Sequence, residues 1–460
     1  MDRLLKSQQD TIVAIATPPG ESGLAIIRVS GDQAFSLVGQ CFSPKGRDSR
    51  KPSEAASHTI HYGHITEGEQ ILDEVMVSVF KPPRTFTREP VVEISTHGGS
   101  LPVRQVLQRL LGLGARLAQP GEFSMRAFLN GRIDLTQAEA IADLIHARTE
   151  RAAGAAQEQL RGTLGRRMKT LSQDMMHVLA HVEAHIDFPD EDIAPDTHAA
   201  LLGRLSQVEQ GMQQLLLTAR EGKLLRQGLR LAIIGKPNAG KSSLLNCLLG
   251  QDRAIVSPMA GTTRDTIEAQ ANIRGIPVIL IDTAGLRDTE DSIEQQGVAR
   301  SRETASQAEL ILHILDASLP LDPDESPFEE NAIQQPILEI LNKVDLPIHA
   351  SHASRKDTIL LSCATGVGIE SLKDAILKTV WSGSLPSENS EVMINSRHQH
   401  ALQQSLEHVA IVKEGLASNR ELELIAMDLR IALSELGEVI GETTTEDLLD
   451  SIFSQFCLGK

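Results

Sequence analysis

Two short segments of this chain carry residue types whose spacing could hold a nucleoside triphosphate. Gly235-Lys236-Pro237-Asn238-Ala239-Gly240-Lys241-Ser242 satisfies the pattern GxxxxGK[ST], and Ser243 follows directly. The context fits, because the strand-like LRLAII leads into the loop and a helix-like run leaves from Lys241. In such a loop glycines let the backbone wrap the β-phosphate. Lys241 neutralises charge on the β and γ groups, and Ser242 offers a hydroxyl to Mg2+. The second segment, Asn342-Lys343-Val344-Asp345, closes the strand-like PILEIL. Asp345 can accept two hydrogen bonds, from N1 and the 2-amino group of guanine, whereas adenine presents no such pair. A buried carboxylate left unpaired is costly, so this residue should discriminate strongly against ATP.

Between and beyond these segments lie the parts that would sense and cut the γ-phosphate. Asp282-Thr283-Ala284-Gly285 closes IPVILI, placing Asp282 to hold Mg2+ through water and the Gly285 amide to meet the γ-phosphate. Upstream, Gly261-Thr262-Thr263-Arg264-Asp265 offers Thr263 as a second Mg2+ ligand, with a plain surface turn as the alternative. Ser362-Cys363-Ala364 resembles the loop that backs the base in GTPases. Ras-like proteins follow the glycine with a water-orienting glutamine, but here Leu286 stands in that place. Glu290, Asp291, Glu294, Gln295 and Gln296 are the polar candidates nearby, and all could equally form a solvated face.

The elements that must carry these loops follow from periodicity. From Leu229, apolar strand-like runs alternate with helices, which predicts a parallel sheet covered on both faces within residues 226–385. Residues 1–130 read as a small α+β domain. It has the β runs TIVAIAT and LAIIRVS around PPGESG, then ILDEVMVSVF, VVEIS and the helix LPVRQVLQRLLGLGA. Helical periodicity runs from Leu135 to Asp187-Phe188-Pro189 and resumes in ALLGRLSQVEQGMQQLLLTAREGKLL; helices return near Asn395. The simplest layout is an α/β unit inserted in a helical domain of residues 131–225 and 386–460.

Bulk properties agree with a multidomain globular protein. The chain has 460 residues, 41% hydrophobic and 23% charged, and a net charge of -17, which argues against a protein that coats polyanions. A local basic surface around Arg220, Lys223, Arg226 and Arg230 keeps RNA open as a partner, with a solvated helix end as the other reading. The N-terminus lacks the uninterrupted apolar core of a signal peptide and no stretch would span a bilayer, so a cytoplasmic address is expected. Cys41, Cys247, Cys363 and Cys457 show no metal or disulfide spacing. His97, beside Gly98-Gly99, reads as a turn residue because no partner spacing singles it out as a base.

Taken together, GKPNAGKSS, GTTRD, DTAGLRDT, NKVD, DFPDED and the terminal FCLGK make the chain resemble the MnmE (TrmE) family of tRNA-modification GTPases over essentially its whole length. The resemblance implies a multidomain α/β plus all-α protein: a Ras-like P-loop G domain inserted in a helical domain, after an α+β folate-binding-like domain that dimerises. It implies a homodimer whose G domains meet around K+, which replaces an arginine finger. Asn238 would supply a side-chain ligand, and Ser257, Met259 and Thr262 lie in the loop that wraps the ion; a backbone carbonyl serves as well at Met259. Glu294 would position water through a second water. Arg264 and Arg287 are either switch stabilisers or surface ion-pair partners.

The resemblance also reaches the two ends of the chain. Read alone, Cys457 is a thiol in a fraying tail. In the family the C-terminal segment approaches a folate, 5-formyl-tetrahydrofolate or a relative, and the thiol is linked to modification at C5 of the wobble uridine. Folate contacts would fall on Arg28, Glu93, Arg132 and Lys460, each of which could also be an ordinary surface ion pair. A second, MnmG (GidA)-type flavoprotein would bring FAD and NADH in a heterotetramer, since this chain has no GxGxxG fingerprint of its own. The alternative is a regulatory GTPase switch in ribosome assembly, for which a folate-like domain and a terminal Cys-Leu-Gly-Lys have no use.

Overall fold

A computed structural model of the chain describes residues 10–46, 50–188, 198–250, 269–281, 306–321, 335–353, 355, 358–381, 392–418 and 420–460. Two compact units emerge, one of residues 1–142, 160–208 and 404–460, the other of residues 143–159 and 209–403.

The first unit begins with β1 (Ile12–Ile15), β2 (Leu24–Ser30), α1 (Ala34–Cys41), β3 (Phe42–Pro44), β4 (Thr59–Glu67), β5 (Gln70–Phe80), β6 (Val91–His97), α2 (Ser100–Gly112), β7 (Arg116–Leu117) and α3 (Glu122–Leu129). Its strands form one seven-stranded sheet in the order β3-β4-β5-β6-β2-β1-β7. Alternation makes this sheet one-sided: along β5, Val75, Val77 and Val79 are buried while Glu74 and Met76 are exposed. Each such valine contributes about 1.5–3 kcal/mol when fully covered. On the other face Arg28 of β2 stands opposite Glu93 of β6, a pairing that register alone brings about.

The helical periodicity that begins at Leu135 breaks into α4 (Leu135–His146), α5 (Glu150–Leu160) and α6 (Thr163–Asp187). Thr149 explains the first break, since its hydroxyl accepts from the Ala152 amide as an N-cap. In the first unit α6 packs along a late helix, α12 (Leu422–Ile440), through Leu164, Met168, Leu171, Met175, Val178 and Val182. The closing helix, α13 (Glu446–Phe453), packs on α3 and leads to the terminal tail.

The second unit holds α7's end and α8 (Ala219–Gln227), then β8 (Leu229–Ile234), α9 (Lys241–Gly250), β9 (Ala269–Ile273), β10 (Ile276–Leu280), β11 (Leu310–Asp316), β12 (Ile337–Asn342), β13 (Ile359–Leu360) and α10 (Ile369–Val380); α7 is His198–Leu216 and α11 is Ser396–Ala417. The sheet order is β13-β12-β11-β8-β10-β9. Five strands are parallel as the alternation predicted, but the edge strand β9 runs antiparallel to β10. Its AQANI composition, with one large apolar residue, hides it from an apolar-run reading. The central strands are buried on both sides: every residue of β11 from Leu310 to Leu315 is covered. Helix α5 packs in this unit, with Ala152 in its core and the Arg151 guanidinium 4.2 Å from the Trp381 ring centre.

Candidate functional site

The loop between β8 and α9 is a cradle built by steric necessity. Asn238 sits at φ +63 and Gly240 at φ +105, so successive amides turn toward one concave side. A Cβ on Gly240 would come within 2.1 Å of Asn342 Nδ2, which is why no larger residue fits. Lys241 Nζ donates to the carbonyls of Gly235 and Lys236, at 2.8 Å each. Burial pushes its ammonium below the usual lysine value. Ser242 and Ser243 occupy the first turn of α9, where the helix N-terminus adds to the attraction for phosphate. A serine hydroxyl at the start of α9 could serve a Mg2+ shared with a polyphosphate.

Across the ends of the parallel strands lies the base side. Asn342, at the end of β12 and 2% exposed, donates from Nδ2 to Ala239 O at 2.9 Å and accepts at Oδ1 from the Cys363 amide at 3.2 Å. Ser362 Oγ donates to Asp345 Oδ1 at 2.6 Å and also accepts from the Thr365 amide. That bond fixes the Asp345 carboxylate. Lys343, at φ +67, reaches away to Asp316 Oδ2 at 2.6 Å. Burial alone would raise the Asp316 carboxyl, but bonds from Lys343 and Ser318 outweigh it and hold it below the usual carboxylate value. Asp316 was not anticipated, although its place at the end of the apolar ELILHIL was the available signal. Asn238, Ala239, Gly240, Lys241, Asn342, Asp345, Ser362, Cys363 and Ala364 thus occupy the loops at one end of the sheet.

Ser257, Met259, Thr262, Thr263, Asp282, Thr283, Ala284, Gly285 and Glu294 lie outside the described residues, as do Arg264, Leu286 and Arg287.

In the first unit, the chain's last residues return to the N-terminal sheet. Arg28 donates from Nε to Glu93 Oε1 at 2.9 Å and from a terminal nitrogen to Gly459 O at 3.2 Å. The Phe123 amide donates to Lys460 O. Gly459 has φ +87, and a Cβ there would meet Ile15 O at 2.6 Å and Ala16 Cα at 2.7 Å, so only glycine lets the tail lie this close. Arg28 sits 5.6 Å from the ring centres of both Phe86 and Phe123, and Arg132 lies 4.8 Å over Phe86 while donating to its carbonyl. Partial burial and then the neighbouring Arg28 lower the Lys460 ammonium, while Glu93 and Cys457 pull it back up. Arg28, Glu93, Cys457 and Lys460 are therefore electrostatic neighbours, and Cys457 is exposed. A guanidinium, a carboxylate, an ammonium and two aromatic rings could meet the hydrogen-bonding edge and ring face of a heteroaromatic ligand and an attached carboxylate. The phenylalanines carried no sequence signal, being indistinguishable from core residues.

His97 is no simple turn residue. Its Nδ1 lies 2.6 Å from Asp73 Oδ1 and its amide donates to Asp73 Oδ2 at 2.9 Å. Asp73 is buried and the imidazole exposed, so the outer ring nitrogen faces solvent beside Glu74.

Two family models match this chain: one described as the MnmE helical domain over residues 135–457, the other as the GTP-binding protein TrmE N-terminus over residues 11–132. The chain is 46% identical over 461 residues to the tRNA modification GTPase MnmE of Lactiplantibacillus plantarum, covering 98% of each chain. The chain belongs to the MnmE family. The protein named tRNA modification GTPase MnmE in Thermoanaerobacter pseudethanolicus is 44% identical, covering 98% of this chain and 99% of that one. MnmE membership accounts for the architecture, a P-loop G domain set within a helical region and preceded by a distinct α+β domain. No helix among the described residues is long and apolar enough to cross a membrane.

Proposed function

We propose that this protein is a K+-activated GTPase that modifies C5 of the wobble uridine of certain tRNAs, using a one-carbon unit from a folate. It works as a homodimer in the cytoplasm, together with an MnmG-type flavoprotein that carries FAD. The observation that carries this reading is the terminal Cys-Leu-Gly-Lys seated against Arg28 and the N-terminal sheet, with Cys457 exposed beside Lys460. A GTPase that merely switches a ribosomal partner has no need of that arrangement.

The functional division is residues 1–130 for folate and dimerisation, residues 131–225 and 386–460 as helical scaffold, and residues 226–385 for GTP. Exposed Leu24, Ile60, Tyr62 and Met76 on the uncovered sheet face suit a second copy. In the G domain, loop amides and Lys241 hold the phosphates, and Asp345 selects guanine. Ser242 and Thr263 are the residues suited to Mg2+; Asn238, Ser257, Met259 and Thr262 are those suited to K+, which would supply positive charge for the developing negative charge on the phosphate. Glu294 orients the attacking water indirectly. At the other site Arg28, Glu93, Arg132 and Lys460 would hold the folate, which would supply the one-carbon unit. Cys457, with cationic Lys460 nearby, serves as nucleophile or proton-transfer group.

The deciding experiment compares GTP turnover by the purified protein in KCl and NaCl, alongside mass spectrometry of tRNA nucleosides from cells carrying Cys457→Ser. Faster turnover in K+ and loss of the modified uridine despite normal GTP hydrolysis are expected. Equal rates in both salts would remove the K+ role, and a wild-type level of modification would remove the thiol's.

A further inference from the structure

Two of the four cysteines meet inside the nucleotide site. Cys247 lies on α9, six residues after the P-loop lysine, and Cys363 is the middle residue of the loop behind the base. The Cys247 thiol donates to Cys363 O at 3.5 Å, and the two thiols are close enough to influence each other electrostatically. Neither forms a disulfide. The family motifs assign no task to Cys247.

We propose that Cys247 and Cys363 form an oxidisable dithiol that closes to a disulfide on reaction with a peroxide and thereby loosens the guanine-nucleotide site. This inference rests on the reading of the loop as a guanine-nucleotide site. The chemistry balances in two steps. The Cys247 thiolate attacks one peroxide oxygen, the O–O bond breaks, and the departing oxygen leaves as water after taking a proton. The Cys363 thiol sulfur then attacks the sulfenic sulfur, the S–S bond forms, the S–O bond breaks, and the departing hydroxide takes the Cys363 thiol proton and leaves as the second water. Two thiols and one hydrogen peroxide give one disulfide and two waters; the sulfurs lose two electrons and the peroxide gains them.

Geometry supplies the consequence. A disulfide holds its sulfurs about 2 Å apart, closer than any hydrogen bond to sulfur, so one side must move. Helix α9 is pinned by buried Leu244, Leu245 and Leu248. The Cys363 loop therefore gives. Moving with it are the Cys363 amide bonded to Asn342 and the Ser362 hydroxyl that fixes Asp345. Both contacts shape the surface that guanine meets. Burial and the adjacent Cys247 push the Cys363 thiol up to about 12, so Cys363 enters the second step as a thiol and the slower partner of the two.

The test treats the full-length protein with excess hydrogen peroxide, blocks remaining thiols with N-ethylmaleimide, and searches a tryptic digest for the peptide linking Cys247 to Cys363. Fluorescent GDP is titrated before oxidation, after it, and after dithiothreitol. Expected are the linked peptide, a Kd about tenfold higher, as the loss of one or two such hydrogen bonds implies, and recovery on reduction. Cys247→Ala should bind GDP like the wild type and ignore peroxide, with Cys247→Ser as a second variant giving the same result. The proposal is overturned if no linked peptide forms, if it forms without a change in Kd, or if the peroxide effect persists in both variants. Failure of the reduced protein to bind GDP would instead remove the nucleotide reading itself.

Discussion

Asn342 Nδ2 donates to Ala239 O at 2.9 Å, so a single buried amide ties the phosphate loop to the end of β12. Its Oδ1 accepts the Cys363 amide, which ties in the base loop as well. Asn342→Ala leaves a buried carbonyl and a partly buried amide without these partners, at about 1–3 kcal/mol each. The expected result is a guanine-nucleotide Kd raised by about ten- to a hundredfold, together with a lower melting temperature. Titration with fluorescent GDP and thermal denaturation read the two effects. An unchanged affinity would mean that the loops hold their shape without the amide.

Asp345 should set which purine is accepted. Ser362 holds one carboxylate oxygen at 2.6 Å, and the group as a whole matches two donors on guanine. Asp345→Asn replaces one acceptor by an NH2 donor, which suits the 2-oxo group of xanthine. The variant should lose GTP by about a hundredfold or more, as expected when a site's polar groups are left unpaired, and gain XTP. Competition between GTP, XTP and ATP on the same sample tests this; a variant still preferring GTP would place base selection elsewhere.

Legibility in the sequence followed the locality of the physics. The phosphate loop was readable because its spacing encodes its own geometry, from Asn238 at positive φ to Lys241 at the helix start. The Arg28–Glu93 pair sits 65 positions apart in sequence and depended on the β2–β6 register for its contact. Family motifs named those residues, but periodicity could not have joined them. Phe86 and Phe123 were invisible because an aromatic beneath a guanidinium looks like any core aromatic. Strand β4 escaped because His61, Tyr62 and His64 dilute its alternation, and β9 because Ile273 is its one large apolar residue. Asp73 became a partner for His97 only when β5 and β6 paired.

That pair predicts a pH signature. The Asp73 hydrogen bond, and then its charge, raise the His97 imidazole above its usual 6.5. A histidine raised on folding adds stability that is fully present below its unfolded pKa and is lost as pH rises through the higher folded value. The stability gap between wild type and Asp73→Asn should therefore be widest in mildly acidic buffer and narrow above neutrality. Bonds from the His97 and Glu74 amides to Asp73 set a pH-independent remainder. An NMR titration, with the His97 signal assigned by its absence in His97→Gln, should show its pKa fall in Asp73→Asn. An unmoved pKa would mean the contact is absent in solution.

The terminal tail offers a way to separate position from chemistry. Gly459 lies at φ +87 with Ile15 O and Ala16 Cα in the space a Cβ would take, so Gly459→Ala must lift the segment off β1. Lifting it breaks the bond from Arg28 to Gly459 O and withdraws Lys460 from Glu93. Nothing in that change touches Lys241 or Asp345, which belong to the other compact unit. GTP hydrolysis should therefore persist while wobble-uridine modification falls at least tenfold. Hydrogen exchange at the Phe123 amide, which the Lys460 carbonyl protects, should accelerate in Gly459→Ala. Cys457→Ser should lose modification with that protection intact, because its backbone contacts to Gly121 and Lys460 need no sulfur. If Gly459→Ala exposes the Phe123 amide yet modifies tRNA normally, the docked tail is not where the thiol acts, and the role of Arg28 and Glu93 as its setting fails with it.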